Sequence, residues 1–265
     1  MLGKLLKYDL KWTYKVLVVL YCLAGIFTAI SMIFNSIQTD SVLFSILSSC
    51  SSGFAVSMAV SALINCIMRS WARFVSNIYK DESYLTHTLP VSKKEIYLSK
   101  ILSSIICTFT TVAVSAVCIV LCYYSNKTVV EALNNMLKVA ADTFNTTAVN
   151  FVIIISIVAF LEVLFILFVG YLGIIIGHKS NKNKMLKSIV YAVAFYLITN
   201  AFTVVLVMIA GLFNSDIMNL IKTNEMVNFD IIKNIMLCAI VLYSVLNVLY
   251  YVAGKVQLSK GVNVD

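Results

Sequence analysis

Six stretches of the chain are nearly free of charge and long enough to cross a bilayer: residues 16–34, 42–67, 101–124, 149–177, 188–213 and 231–253. A helix needs about 20 apolar residues to span a hydrocarbon layer roughly 30 Å thick. Polar and charged residues collect between these stretches rather than alternating within them, so the pattern predicts six membrane-spanning helices and no strands. The second and fourth stretches exceed the required length, which predicts tilt or extension beyond the bilayer. The first is too long for the apolar part of a signal peptide, and no small-x-small cleavage pattern follows it. The single proline and nine glycines agree with long helices, since backbone groups in lipid find partners only within a helix or a closed barrel. The predicted fold is therefore an all-α polytopic membrane protein forming one transmembrane domain over residues 1–265.

The distribution of basic residues gives this bundle a direction. Of twenty Lys and Arg, sixteen lie on one side: Lys4, Lys7, Lys11 and Lys15 before the first span; Arg69, Arg73, Lys80, Lys93, Lys94 and Lys100 between the second and third; Lys179, Lys182, Lys184 and Lys187 between the fourth and fifth; and Lys255 and Lys260 at the end. Basic residues in short loops stay on the cytoplasmic side, so both termini are predicted to lie inside. The net charge of +8 is then a topology signal, and no nucleic-acid partner is needed to explain it. Lys4, Lys7, Lys11 and Lys15 are three or four residues apart, with Leu2, Leu5, Leu6 and Trp12 away from that line. This predicts a short amphipathic helix in the inner interface, or simply a basic flank to the first span. The outer loops, about 125–147 and 214–230, have room for interfacial helices.

The most informative segment is the inner loop Asp81-Glu82-Ser83-Tyr84-Leu85-Thr86-His87-Thr88-Leu89-Pro90-Val91-Ser92-Lys93-Lys94-Glu95. Pro90 disfavours a helical conformation at Leu89 and ends the helix before it. Ser92, followed three residues later by Glu95, forms a capping box that starts the next helix, which runs through Lys100 into the third span. A short helix, a rigid break and a capped helix fused to a span make a lever on the cytoplasmic side. Such a lever can pass a push from a soluble partner into the membrane, or it can be a structured connector and nothing more.

Glu82, Tyr84, Leu85, Thr88, Leu89, Pro90, Val91, Ser92 and Lys100 together resemble the first cytoplasmic loop of permease subunits of bacterial type-2 ATP-binding-cassette transporters, especially those of Gram-positive bacteria. Six spans with both ends inside and an amphipathic N-terminal helix are similar to that family over nearly the whole chain; the loop motif covers about twenty residues. The resemblance implies a coupling helix around residues 78–89 that sits in a cleft of a separate ATPase subunit, with Asp81, Glu82, Tyr84, Leu85, Thr88, Leu89 and Pro90 as partner-binding residues. It also implies a second permease subunit, identical or related, residence in the bacterial plasma membrane, and ATP with magnesium held by the partner. The chain has no G-x-x-x-x-G-K of its own, because no two of its glycines are five apart, and is expected to bind no nucleotide through such a loop.

Two features within the spans are candidates for helix packing or a transport route. Ser45, Ser49, Gly53, Ser57 and Ser61 are four apart and stack on one face of the second span. Small side chains let helices approach closely in lipid, either as a static seam inside one subunit or as a contact that slides or crosses a dimer. Gly170, Gly173 and Gly177 in the fourth span read the same way. Glu162 is the one acid well inside a span; at a cost of roughly 2.5–3.5 kcal/mol for a charge there, it is expected to face the bundle interior or water, or to be neutral and bonded to a nearby Ser or Asn. The tyrosine pairs Tyr123–Tyr124 and Tyr250–Tyr251 fall at span ends and read as interfacial anchors.

Among function classes, an intramembrane protease is disfavoured, since both histidines, His87 and His178, fall on the inner side and there is no H-E-x-x-H. The seven cysteines lack C-x-x-C spacing and read as free, small apolar side chains, with no metal site. The leading expectation is the membrane subunit of an ATP-driven exporter of a peptide, lipid or drug-like amphiphile, itself without catalytic residues. The alternative is a membrane receptor or immunity-type protein that binds a toxic peptide without transport.

Overall fold

The computed structural model describes residues 2–36, 42–80, 82–88, 90–124, 127–143, 147–213 and 229–261. Its elements are α1 (Leu2–Ser36), α2 (Val42–Ile78), α3 (Ser83–Thr88), α4 (Lys93–Tyr124), α5 (Lys127–Thr143), α6 (Ala148–Gly177), α7 (Lys184–Phe213) and α8 (Phe229–Ser259). No strand occurs among the described residues. Six of these helices are long and apolar enough to cross a membrane, over Leu2–Ser36, Val42–Ile78, Lys93–Tyr124, Val149–Gly177, Lys184–Ile209 and Ile235–Ser259. Each contains or overlaps one of the six stretches read from the sequence. In the first predicted outer loop lies α5; the second is largely outside the described residues.

Of the two readings of the N-terminal segment, a basic flank continuous with the first span fits, and a separate short helix followed by a turn does not: α1 is one continuous helix of 35 residues. The reason is a buried stripe that does not change face, Asp9, Thr13, Leu17, Ala24, Thr28 and Ser31, which keeps the lysine-bearing turns packed as part of the same rod. Lys4, Lys7, Lys11 and Lys15 are exposed on its other side.

Packing divides the chain into two compact units, residues 1–136 and 137–265. In the first, α1 packs on α2 and α4, and α2 packs on α4. Its core of Leu17, Cys66 and Cys107 is lined by Leu10, Tyr14, Leu20 and Tyr21. Hydroxyls stitch the same helices together: Tyr14 to Thr110 at 2.7 Å, Tyr21 to Thr111 at 2.6 Å, and the Ser115 hydroxyl donating to the Ala59 carbonyl at 3.2 Å. In the second unit, α6 packs on both α7 and α8. Phe165 sits among Tyr196, Tyr243 and Tyr250, with ring centroids 5.6–6.1 Å apart.

Two glycines of α6, Gly173 and Gly177, behave as small-residue packing predicts. A Cβ on Gly173 would lie 2.6 Å from the Ala192 Cβ and 2.8 Å from its Cα, and one on Gly177 would overlap Ser188. Only a hydrogen at these positions lets α6 and α7 approach so closely.

Candidate functional site

The loop after α2 folds as its sequence signals predict, with shifted limits. α2 extends to Ile78 and a turn follows, in which the Ser83 amide donates to the Lys80 carbonyl at 2.7 Å. The coupling helix expected around 78–89 is reduced to the six residues of α3. The capping box is formed in full: the Glu95 amide donates to the Ser92 hydroxyl at 3.3 Å, and the Ser92 amide donates to Glu95 Oε2 at 3.1 Å. That starts α4 one residue later, at Lys93.

α3 shows two distinct faces. Ser83 and Thr86 are buried, at 0% and 6% exposure, whereas Tyr84 and Leu85 are 74% and 73% exposed. Thr88 and Pro90 are also exposed. Among the sequence-predicted partner residues, then, Tyr84, Leu85, Thr88 and Pro90 form an outward surface, and Glu82 takes a different role. Asp81 and Leu89 lie outside the described residues. Covering large side chains such as Tyr84 and Leu85 stabilises an assembly by roughly 1.5–3 kcal/mol each.

Glu82 holds α3 in place. The Arg73 guanidinium donates through one nitrogen to both Glu82 carboxylate oxygens, at 2.9 and 2.8 Å, and Asn77 donates to Oε2 at 2.9 Å. Because Glu82 precedes α3 directly and its carbonyl accepts from the Thr86 amide at 3.0 Å, fixing this side chain fixes the start of the helix.

The same guanidinium reaches a second carboxylate. Arg73 Nε lies 3.2 Å from Asp9 Oδ1, Lys100 Nζ lies 2.5 Å from that oxygen, and the Ser99 hydroxyl donates to Oδ2 at 3.2 Å. The side chains of Asp9 and Lys100 are 3% and 5% exposed. An isolated charge at such depth costs several kcal/mol, an expense that close pairing and hydrogen bonding offset. Two carboxylates and two cations thus tie α1, α2, α4 and the approach to α3 into one cluster whose formal charges cancel. Trp12 extends it: its ring lies 4.2 Å from the Arg69 guanidinium and 5.2 Å from that of Arg73, and its carbonyl accepts from Arg69 at 3.1 Å. Beside the cluster is a cavity of about 310 Å³, bordered by Tyr8, Asn77, Leu85, Thr86 and Ile96.

Sequence reasoning gave Arg73 a topological role alone, gave Lys100 that role and a place in the loop motif, and passed over Asp9. A signal was present. With 3.6 residues per turn, Asp9 falls on the side of α1 opposite Lys4, Lys7, Lys11 and Lys15, in the middle of the face that carries Leu2, Leu5, Leu6 and Thr13. A lone acid on an apolar helix face calls for a partner cation.

The candidates within the spans stand elsewhere. Ser45, Ser49, Gly53 and Ser57 are exposed and Ser61 is half-buried, and a Cβ on Gly53 would meet nothing within 4 Å. The static seam inside the first unit is made by the other small-residue stripe of α2: Ser51, Ala55, Ala59, Ala62, Cys66 and Ser70. Glu162 is also exposed, which sets aside a place in the packed interior of its unit and leaves the readings in which it meets water or is neutral. α6 is turned so that Leu164, Phe165 and Phe168 are buried, which leaves Glu162 on the outer side of its unit. Among the described residues, no cluster of His, Cys, Asp and Glu can hold a metal ion.

Compared with protein-family models, curated proteins and solved structures, the chain matches none of them.

Proposed function

We propose that this chain is the membrane-spanning permease subunit of an ATP-driven exporter of the bacterial type-2 ATP-binding-cassette kind. In this reading both termini and α3 are cytoplasmic, α3 docks on a separate ATPase subunit that holds ATP and magnesium, and a second permease subunit completes the assembly in the plasma membrane. The cargo class is an amphiphile: a peptide, a lipid or a drug-like molecule. The observation that carries the reading is α3 itself, a short helix anchored through Glu82 that turns Tyr84 and Leu85 outward at 74% and 73% exposure. Two adjacent large side chains turned outward on a helix fixed at its foot fit a surface that a partner covers. The resemblance of the surrounding loop to the coupling segment of such permeases points the same way, as do six helices of spanning length.

Affinity purification in mild detergent tests this. The unaltered chain is expected to bring down a protein with vanadate-sensitive ATPase activity, and Tyr84→Ala with Leu85→Ala is expected to lower its recovery by about tenfold or more, the equivalent of about 1.4 kcal/mol. Recovery of no ATPase with the unaltered chain overturns the proposal, as does recovery that the double substitution leaves intact.

A further inference from the structure

Arg73 is the only described residue that bonds to both carboxylates of the cluster: its Nε meets Asp9 on α1 at 3.2 Å while a terminal nitrogen meets Glu82, at the foot of α3, at 2.8 Å. A guanidinium is a planar fork, so the two bonds share one rigid group, and a rotation imposed at one carboxylate is felt at the other. Asp9 in turn is held by Lys100 and Ser99 of α4, and the Arg73 side chain is 12% exposed, which restricts its alternatives. We infer that Asp9 is a positioning residue that makes α1 part of the coupling device: through Arg73 and Glu82, load applied to α3 by a docked partner passes into the N-terminal helix as well as directly along α4.

Two features favour transmission over simple adhesion. Among described residues, α3 packs chiefly on α2, and the bridge through Arg73 is a bonded link from its foot to α1. Trp12, one turn beyond Asp9 on α1, stacks against the same Arg73, so any reorientation of the fork changes the environment of an indole. That second feature supplies a readout which a merely structural role for Asp9 does not move.

The inference rests on reading α3 as the docking helix, and its test separates the two. The full chain is labelled with 5-fluorotryptophan, its two indole resonances are assigned with Trp71→Phe, and the ATPase subunit is added. The expected result is a shift of the Trp12 resonance on docking that is largely lost in Asp9→Asn and in Arg73→Lys. The lysine variant keeps the charge but offers a single point donor in place of the fork. Asp9→Glu, which keeps the carboxylate, is expected to restore much of the shift. Failure of the unaltered chain to bind the ATPase overturns the functional reading. Binding without a Trp12 shift, or a shift equally large in Arg73→Lys, overturns the role of Asp9 while leaving that reading intact; if Asp9→Asn does not fold, Arg73→Lys decides.

Discussion

The two units solve the same problem with different chemistry. Helices in lipid gain little from apolar contact alone, because the surrounding chains are equally apolar. The first unit answers with polar groups: an ion cluster at one end, then Tyr14–Thr110 and Tyr21–Thr111 along the α1–α4 seam, and the Cys122 thiol donating to the Ser31 hydroxyl at 3.2 Å. The second answers mainly with shape, by the close approach of Gly173 to Ala192 and the aromatic nest around Phe165. Among the described residues its polar ties between helices are fewer; they include Asn247 donating to the Leu161 carbonyl at 3.1 Å and Thr199 paired with Tyr250 at 2.5 Å. Polar ties fix distance and angle, whereas shape fixes only proximity. The unit bearing α3 is the one whose geometry is specified most closely.

Substitutions break this comparison in a definite order. Asp9→Leu leaves Arg73 and Lys100 competing without their shared anion, and is expected to destabilise the first unit by about 3–5 kcal/mol, measured by detergent-titration unfolding. Gly173→Val drives a side chain into the backbone of α7, with an expected loss of about 1–3 kcal/mol. That loss appears in cysteine crosslinks between α6 and α7 while those between α1 and α4 are spared. Tyr21→Phe removes one half-buried hydroxyl pair at an expected cost of about 0.6 kcal/mol, the scale of such bonds in membranes. Tyr84→Ala leaves thermal unfolding unchanged and acts only on partner recovery. Gly53→Ala enters open space and is expected to be neutral in the isolated chain, or stabilising by up to about 0.5 kcal/mol. Loss of assembly with that last variant, at unchanged monomer stability, marks a helix of another chain seated on the exposed stripe.

Hydropathy made the six long helices legible, because a charge-free stretch of spanning length has few other uses. The capping box at Ser92 and Glu95 was equally legible, since both of its hydrogen bonds are local in sequence. What escaped was orientation. α2 carries two small-residue stripes, one through Gly53 and one through Ala55 and Ala59, and both have helical spacing. Which one turns inward depends on how α1 and α4 pack, and the spacing within α2 holds no information on that. Which of the readings of Glu162 its place favours was not legible for the same reason, because the aromatic nest on the buried side of α6 draws on α7 and α8. The bridge from Asp9 through Arg73 to Glu82 joins residues 64 and 9 positions apart; the shorter link was within reach of loop reasoning and the longer one was not.

The unbroken course of α1 has a mechanical consequence. At 1.5 Å per residue, Asp9 and Ser36 stand about 40 Å apart on one stiff rod, so a tilt of about 5° about the Asp9 end displaces the far tip by about 3.5 Å. A tight grip near one end of such a beam turns a small rotation there into a displacement the size of a side chain at the far end, with no break in the helix between them.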